Sequence, residues 1–432
     1  MLGGTALVLS SCAPLFSKDK RPNFVIIMAD DQRYDTMQWM PQTQALIFDH
    51  GITFSQSISP TPLCCPARAC TFTGLYAHNE GVYTNLDKLS DKHETVFMAL
   101  HDHGYYTGLV GKYLNTWLGE MRPEFDFWVS QPGSVAAYEN PNLNVNGKWG
   151  IRPGYITDVE TNYVLQFLDQ ASKQNKPFIL MYAARAPHAP ATPAKQDKNL
   201  LENLPPYRPP GFNEADVSLK PSSISGLRLM DAQGIAMNDN FRRRQILTLI
   251  ALDRSVGAII NKLQETGEID NTVVIYTSDH GIHWGEHRLS AEKNSEYEVS
   301  LHVPFGMRYP PLVPKPYVDD HLVAHIDLVP MIYDLAGVSG PAMDGTSLVK
   351  VIKGEPWRDH LLIQGKPERG YWVGIRTTRY VYVETENDMS ELYDLQTDPF
   401  EIQNLINDPQ YQSIISDLKA KLDAEKQAEP SL

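Results

Sequence analysis

The sequence predicts an α/β fold: a mixed, mostly parallel sheet sandwiched by helices, followed by a small C-terminal antiparallel sheet with one helix. Two observations predict the main layer. Continuous apolar, β-rich runs recur along the chain, as expected for strands buried on both faces. Segments of helical character lie between them, and such alternation is the pattern of a sheet covered by helices. A third observation predicts the appended unit. Towards the end the runs shorten and alternate apolar with polar residues, as half-solvated antiparallel strands do.

Taken in order, "NFVIIMADD" runs from Asn23 into Asp30 and Asp31, and "YYTGLVGK" ends at Lys112. "PFILMYAARAPH" ends at His188, and "TVVIYTSDH" ends at Asp279 and His280. One such residue is unremarkable, because an aspartate after a strand is often only a cap or turn residue. Ligands of open α/β sheets, however, collect outside the carboxyl ends of the strands. Four polar sets at four such ends can converge on one pocket.

The helical segments include "DVETNYVLQFLDQA" and "RQILTLIALDRSVGAIINKLQET". Between Ala194 and Arg244 the chain is rich in Pro, Asn and Asp, which reads as a long surface excursion shaping substrate entry. "AHIDLVPMIYDLAGV" reads as a helix, "GYWVGIRTTRYVYVE" and "SELYDLQTD" as short strands, and "QYQSIISDLKAKLDAEKQ" as a closing helix. The expected organisation is a leader and linker over 1–20, a main domain over 21–355 and a small C-terminal unit over 356–432.

A chain of 432 residues can bury a large core, and its net charge of −14 argues against a nucleic-acid partner, which needs a broad basic face. The four cysteines are Cys12, Cys64, Cys65 and Cys70. Adjacent Cys64 and Cys65 pair poorly, so a disulfide scaffold is not expected. The opening "MLGGTALVLSSCAPLF" resembles the apolar part of a secretory signal. Leu9–Cys12 resembles a bacterial lipobox in which Cys12 takes a lipid anchor, placing the protein in the cell envelope, periplasm or medium. No later apolar run is long enough for a membrane helix.

The segment "LCCPARACTFTG" gathers three of the four cysteines. Pro66 suits the first turn of a helix and Gly74 its end. Residue 64 then sits near the helix N-terminus, where backbone N–H groups favour an anion. Arg68, one turn on, can face the same site and clamp an oxyanion. An unmodified catalytic or redox cysteine is the plainer reading of the same residues.

Cys64, Pro66 and Arg68 form C-x-P-x-R, followed by Thr73 and Gly74, and here the chain resembles the type I sulfatases. "RPNFVIIMADDQ", "GKY", "APHAP", "TSDHG", "KNSEYEVSLHVPF" and "ELYDLQTDPFEIQNL" extend the resemblance over nearly the whole chain. It implies an alkaline-phosphatase-like fold. It further implies that Cys64 is oxidised to formylglycine by a generating or maturase enzyme, and that its hydrate is the nucleophile. Asp30, Asp31, Asp279 and His280, with residue 64, would bind one divalent cation. Such an oxygen-rich set suits Ca²⁺, with Mn²⁺ or Mg²⁺ as alternatives. Arg68, Lys112, His188 and Lys293 would surround the sulfate.

One position departs from the family. Many members read G-K-x-H, and the histidine helps deprotonate the nucleophile; here Leu114 stands in its place. His283 or His287 are candidates for that task, and both join Asn85 and Asn115 as candidate substrate contacts. "LCCP-R", "GKYLN" and "NDNFRRRQILTLIALDRSVGAIINKL" look most like N-acetylglucosamine-6-sulfatases, which implies a 6-O-sulfated amino sugar in a glycan. Two alternatives stand beside this reading: a phosphonate or phosphate monoester hydrolase of the same superfamily, and a non-catalytic glycan-binding lipoprotein.

Overall fold

In a computed structural model describing residues 21–133, 136–367 and 370–430, the four apolar runs lie side by side. The leader-like segment and Cys12 fall outside the described residues. The main sheet uses β1 (Asn23–Ala29), β2 (Ile52–Ile58), β3 (Tyr106–Gly111), β4 (Phe127–Ser130) and β5 (Asn142–Val145). It continues through β6 (Lys148–Ile151), β7 (Phe178–Ala183), β8 (Thr272–Ser278), β9 (Phe305–Arg308) and β10 (Tyr317–Ala324). Their spatial order is β10-β2-β9-β8-β1-β7-β3-β4-β5-β6. The neighbours β8, β1, β7, β3 and β4 are mutually parallel, whereas β9 and β5 run against them. Ile26 sits between Met181 and Ile275 in register, so the ends of the central strands finish together.

The continuous apolar runs are explained by two cores, one on each face. Alternate residues of β1 point opposite ways. Phe24, Ile26 and Met28 pack with Cys65, Ala69 and Phe72 of the Cys64–Thr73 helix and with the Leu328–Ala336 helix. Val25, Ile27 and Ala29 pack against the Ile156–Ala171 and Ala232–Glu265 helices through Val164, Phe167, Leu252 and Val256. A strand with a core on each side has no polar face to show in its sequence.

The second sheet is antiparallel in the order β11 (His360–Gly365), β12 (Trp372–Thr377), β13 (Tyr380–Thr385) and β14 (Glu391–Asp394), with the Gln412–Glu425 helix against it. It shares apolar contacts with the main body: Ile58, Cys70, Tyr76, Leu301 and Leu322 belong to the same cluster as Ile363, Ile375 and Leu422. Cys70 fills this junction.

Several elements differ from the sequence reading, which did not name β2, β4, β5, β6, β9 or β10. The long helix starts at Ala232, inside the expected excursion, because Asp231 caps it by accepting from the Gly234 N–H. Strand β11 was not expected; its buried Leu361–Ile363 stretch has no alternation to mark it.

Gly111 fixes how β3 delivers the following lysine. Its φ is +105°, and an added Cβ would lie 2.1 Å from the Ala183 carbonyl oxygen. The Lys112 N–H donates to that same carbonyl at 2.9 Å. Gly111→Ala is expected to destabilise the fold by about 3 kcal/mol or more. It should lower the thermal unfolding midpoint by several degrees in a scanning measurement, and an unchanged midpoint contradicts this account.

Candidate active site

The site is assembled at the carboxyl ends of the four parallel strands. Backbone bonds between neighbours tie those ends together. The Asp30 N–H donates to Ala186 O, Ala184 N–H to Met28 O and Asp279 N–H to Ala29 O, at 2.9–3.1 Å. Asp31 has φ +73°, a left-handed conformation that aspartate tolerates better than most residues. Its N–H donates to Asp279 Oδ1 at 3.0 Å. The backbone after β1 is thereby tied to a carboxylate from the other half of the chain.

Around Cys64 Sγ stand Asp30 Oδ1 at 3.6 Å, His280 Nε2 at 3.4 Å and Lys293 Nζ at 3.3 Å. His280 donates through Nδ1 to the Gly281 carbonyl, 2.9 Å away, which turns Nε2 towards the cluster. His188 is arranged alike: Nδ1 meets the Ala189 carbonyl at 2.7 Å, and Nε2 lies 3.9 Å from Asp31 Oδ2. Asp30, Asp31 and Asp279 are all buried.

Their charges are compensated from one side. Lys112 Nζ bonds Asp30 Oδ2 at 2.6 Å. Arg68 donates from Nε and Nη2 to Asp279 Oδ2 at 3.1 and 2.9 Å, and from Nη1 to the Lys112 carbonyl at 3.0 Å. Lys293 Nζ bonds Asp31 Oδ1 at 2.6 Å. The Oδ2 atoms of Asp30 and Asp279 are thus engaged; Asp30 Oδ1 faces Cys64, and Asp279 Oδ1, which accepts the Asp31 and His280 N–H groups at 3.0 Å, lies 3.7 Å from His280 Nε2. Burial pushes the Asp30 carboxyl up, but Lys112, His188, Arg68 and Lys293 reverse this and hold it well below the usual carboxylate range. At Asp279 burial prevails, helped by the Asp30 charge, and the carboxyl is raised to about 6.

The donor set fits a divalent cation. Asp30, Cys64, Asp279 and His280 offer ligand atoms all within 4.8 Å of one another, and Asp30, Asp31, Cys64 and His188 form an overlapping set. Buried carboxylates with one imidazole suit a hard ion that prefers oxygen.

The structure brings Cys64, Asp30, Asp31, Lys112, His188, Asp279, His280 and Lys293 together, with Arg68 packed behind them. Arg68 was expected to clamp an oxyanion. Instead it is fully buried and engaged with Asp279 and the Lys112 backbone, which makes it a strut for those two residues. The helix N-terminus offers fewer donors than expected. Asn85 Oδ1 accepts the Cys65 N–H at 2.9 Å, Pro66 has none, and the Ala67 N–H returns to Leu63 O. Asn85 therefore caps the helix through its side-chain oxygen.

His283 and His287 are used elsewhere. His283 Nε2 pairs with Ser295 Oγ at 2.7 Å, and His287 Nδ1 with Glu214 Oε2 at 2.8 Å. Both are buried, so neither lies open to a bulky substrate. Asn115 Oδ1 is buried with no hydrogen-bond partner, and Leu114 is part of the core. Tyr138 was not anticipated; its hydroxyl donates to the His188 carbonyl at 2.7 Å and steadies that loop. No local pattern marks a tyrosine that acts on a backbone group fifty positions away.

A family model described as Sulfatase matches residues 22–338, and one described as N-sulphoglucosamine sulphohydrolase, C-terminal, matches 285–428. An extracellular sulfatase Sulf-1 homologue of Caenorhabditis elegans is 32% identical over 86% of this chain. The chain spans about half, 56%, of that protein's length. Human N-acetylglucosamine-6-sulfatase is 33% identical over 84% of this chain and 71% of its own. A solved structure in complex with its substrate, D-glucosamine-2-N,6-O-disulfate, is 25% identical with a TM-score of 0.83, covering 94% of this chain and 98% of that one. The mixed, mostly parallel sheet with a small antiparallel companion is the alkaline-phosphatase-like arrangement expected.

Arg68→Met keeps the bulk of the side chain but leaves the buried Asp279 carboxylate without its partner. Breaking a buried ion pair in this way typically costs about 3–5 kcal/mol. A denaturation midpoint clearly below that of the parent, measured in chelator, is the expected result. Equal midpoints would show that Arg68 is not a strut.

Proposed function

The chain belongs to the sulfatase family, and on that premise we propose that it is a sulfuric ester hydrolase acting on 6-O-sulfate of N-acetylglucosamine or a related sugar in a sulfated glycan. The observation that carries the reading is the gathering of three buried carboxylates, two histidines and two lysines around Cys64. The substrate class is supported by the human relative named N-acetylglucosamine-6-sulfatase and by the structural relative's glucosamine disulfate. The relative named an extracellular sulfatase supports export.

Cys64 Sγ marks where the oxygens of the family's oxidised residue would lie. Oxidised to the family's formylglycine and hydrated, residue 64 would offer one hydroxyl to attack sulfur as the sugar O–S bond breaks, and a second whose deprotonation would expel sulfate and restore the aldehyde. A divalent cation, Ca²⁺ by the hardness of the ligands, would be held by Asp30, Asp31, Asp279 and His280 and would supply Lewis acidity.

The chain's own groups complete the chemistry. Lys293 and Lys112 flank residue 64 and Asp30 as fixed cations, placed to offset charge that spreads over the sulfuryl oxygens. Arg68 keeps Asp279 and Lys112 in register. Burial disfavours a charged His188 ring, but Asp31 and Asp30 outweigh it and raise its pKa. His188 thus holds a proton more readily than a free imidazole, and its side chain, 19% exposed, is the one we assign to protonate the leaving sugar oxygen. With Leu114 in the core, the task of taking the nucleophile's proton falls to the acids and histidines gathered at Cys64: Asp30, Asp31, Asp279, His188 and His280.

The enzyme purified from a host that matures the cysteine should release inorganic sulfate from N-acetylglucosamine 6-sulfate, and much faster than it cleaves an aryl phosphate. The peptide containing residue 64 should be lighter than its unmodified form by roughly 18 mass units, as thiol becomes aldehyde. Cys64→Ala should lower kcat by at least about a thousandfold, while Cys64→Ser should stop after about one product per enzyme. Continued turnover by Cys64→Ser overturns the scheme. Chelation should abolish activity and added Ca²⁺ restore it; full activity in chelator contradicts the cation assignment.

A further inference from the structure

One flank of the site is unused by the chemistry above. Asn294 follows Lys293 and is held by its backbone on two sides. Its N–H donates to Pro62 O at 2.9 Å, and its carbonyl accepts from Trp372 Nε1 at 3.3 Å. Its side chain lies so close to Gly365 that a Cβ there would sit 2.6 Å from Oδ1. Yet Oδ1 is buried without a hydrogen-bond partner, an acceptor lacking its donor.

Gly365 leads into Lys366, and Tyr371 precedes Trp372, so the two ends of the β11–β12 connection stand over Asn294. Lys366 is exposed and has no ion-pair partner among the described residues; its Nζ lies 6.0 Å from the centre of the Tyr83 ring. Tyr371 meets that ring edge to face, with centres 6.1 Å apart. Tyr83 is two residues before Asn85, which caps the helix carrying Cys64. Two half-buried tyrosines and an ammonium without an ion-pair partner among the described residues therefore cluster beside Asn85, at the start of the helix that carries Cys64.

Each group suits part of an acidic sugar. Aromatic faces pack on the apolar face of a pyranose, and an exposed ammonium attracts a carboxylate or sulfate. We propose that Tyr83, Tyr371 and Lys366, seated over the buried Asn294, form a subsite for the sugar adjoining the sulfated one, selecting glycans whose neighbouring residue is anionic. This deepens the sulfatase reading and rests on it for the direction in which the glycan lies.

Calorimetric binding to the Cys64→Ala protein tests it without turnover. The probes are two 6-sulfated disaccharides, one with a uronic acid neighbour and one with that carboxyl reduced to an alcohol. The acidic form should bind about tenfold tighter or more, and Lys366→Met should bring the two affinities within about twofold. Tyr83→Leu should weaken both about tenfold, with circular dichroism confirming the fold. Equal affinities in the parent, or an undiminished preference in Lys366→Met, overturn the subsite. Hydrolysis of p-nitrophenyl sulfate by the unmutated enzyme reads the sulfatase assignment separately, and its absence overturns that assignment alone.

Discussion

The buried carboxylates of Asp30, Asp31 and Asp279 are the constraint to which the rest of the molecule answers. Removing an ion from water costs several kcal/mol even in a relaxed protein interior, and like charges close together add repulsion. The chain meets this with counter-charges drawn from far apart in sequence: Lys112 on Asp30, Arg68 on Asp279 and Lys293 on Asp31. Each salt bridge closes a long loop of chain, so the site can exist only when the whole sheet has formed. Folding and site assembly are in that sense one event.

The same constraint explains the architecture around the site. Parallel strands finish at one edge, and four finishing side by side deliver acids and bases to a small volume without distorting the strands. Gly111 lets β3 release Lys112 while keeping its bond to β7. Asn85 and Gly74 fix the two ends of the helix that presents residue 64, the first by accepting the Cys65 N–H and the second through its left-handed φ of 74°. The smaller sheet is no distant appendage, because its apolar residues pack with Cys70 on the same helix.

What was legible in the sequence follows from this physics. A strand buried on both faces must be apolar throughout, so β1, β3, β7 and β8 announce themselves, and the polar residues that end them stand out. Cys64, Pro66 and Arg68 were visible through their resemblance to the sulfatase pattern, and Pro66 and Gly74 marked the ends of the helix that carries them. The direction of a side chain was not legible. Arg68 on the helix can turn to an incoming anion or to a buried carboxylate, and only the packed sheet places Asp279 within its reach. His283 and His287 read as available bases because a sequence does not reveal Ser295 and Glu214 folding over them. Asn294 carries no signal at all; its unpaired oxygen appears only when β11 and β12 are laid beside Lys293.

The central claim is that Asp30, Asp31, Asp279, His280 and residue 64 share one cation. Anomalous diffraction from crystals loaded with Mn²⁺ tests it directly, since the anomalous signal distinguishes the metal from water and lighter ions. The account predicts a single strong peak within about 2.0–2.6 Å of oxygen or nitrogen atoms from those five residues. A peak elsewhere, with the carboxylates bonded only to Lys112, Arg68 and Lys293, would contradict it.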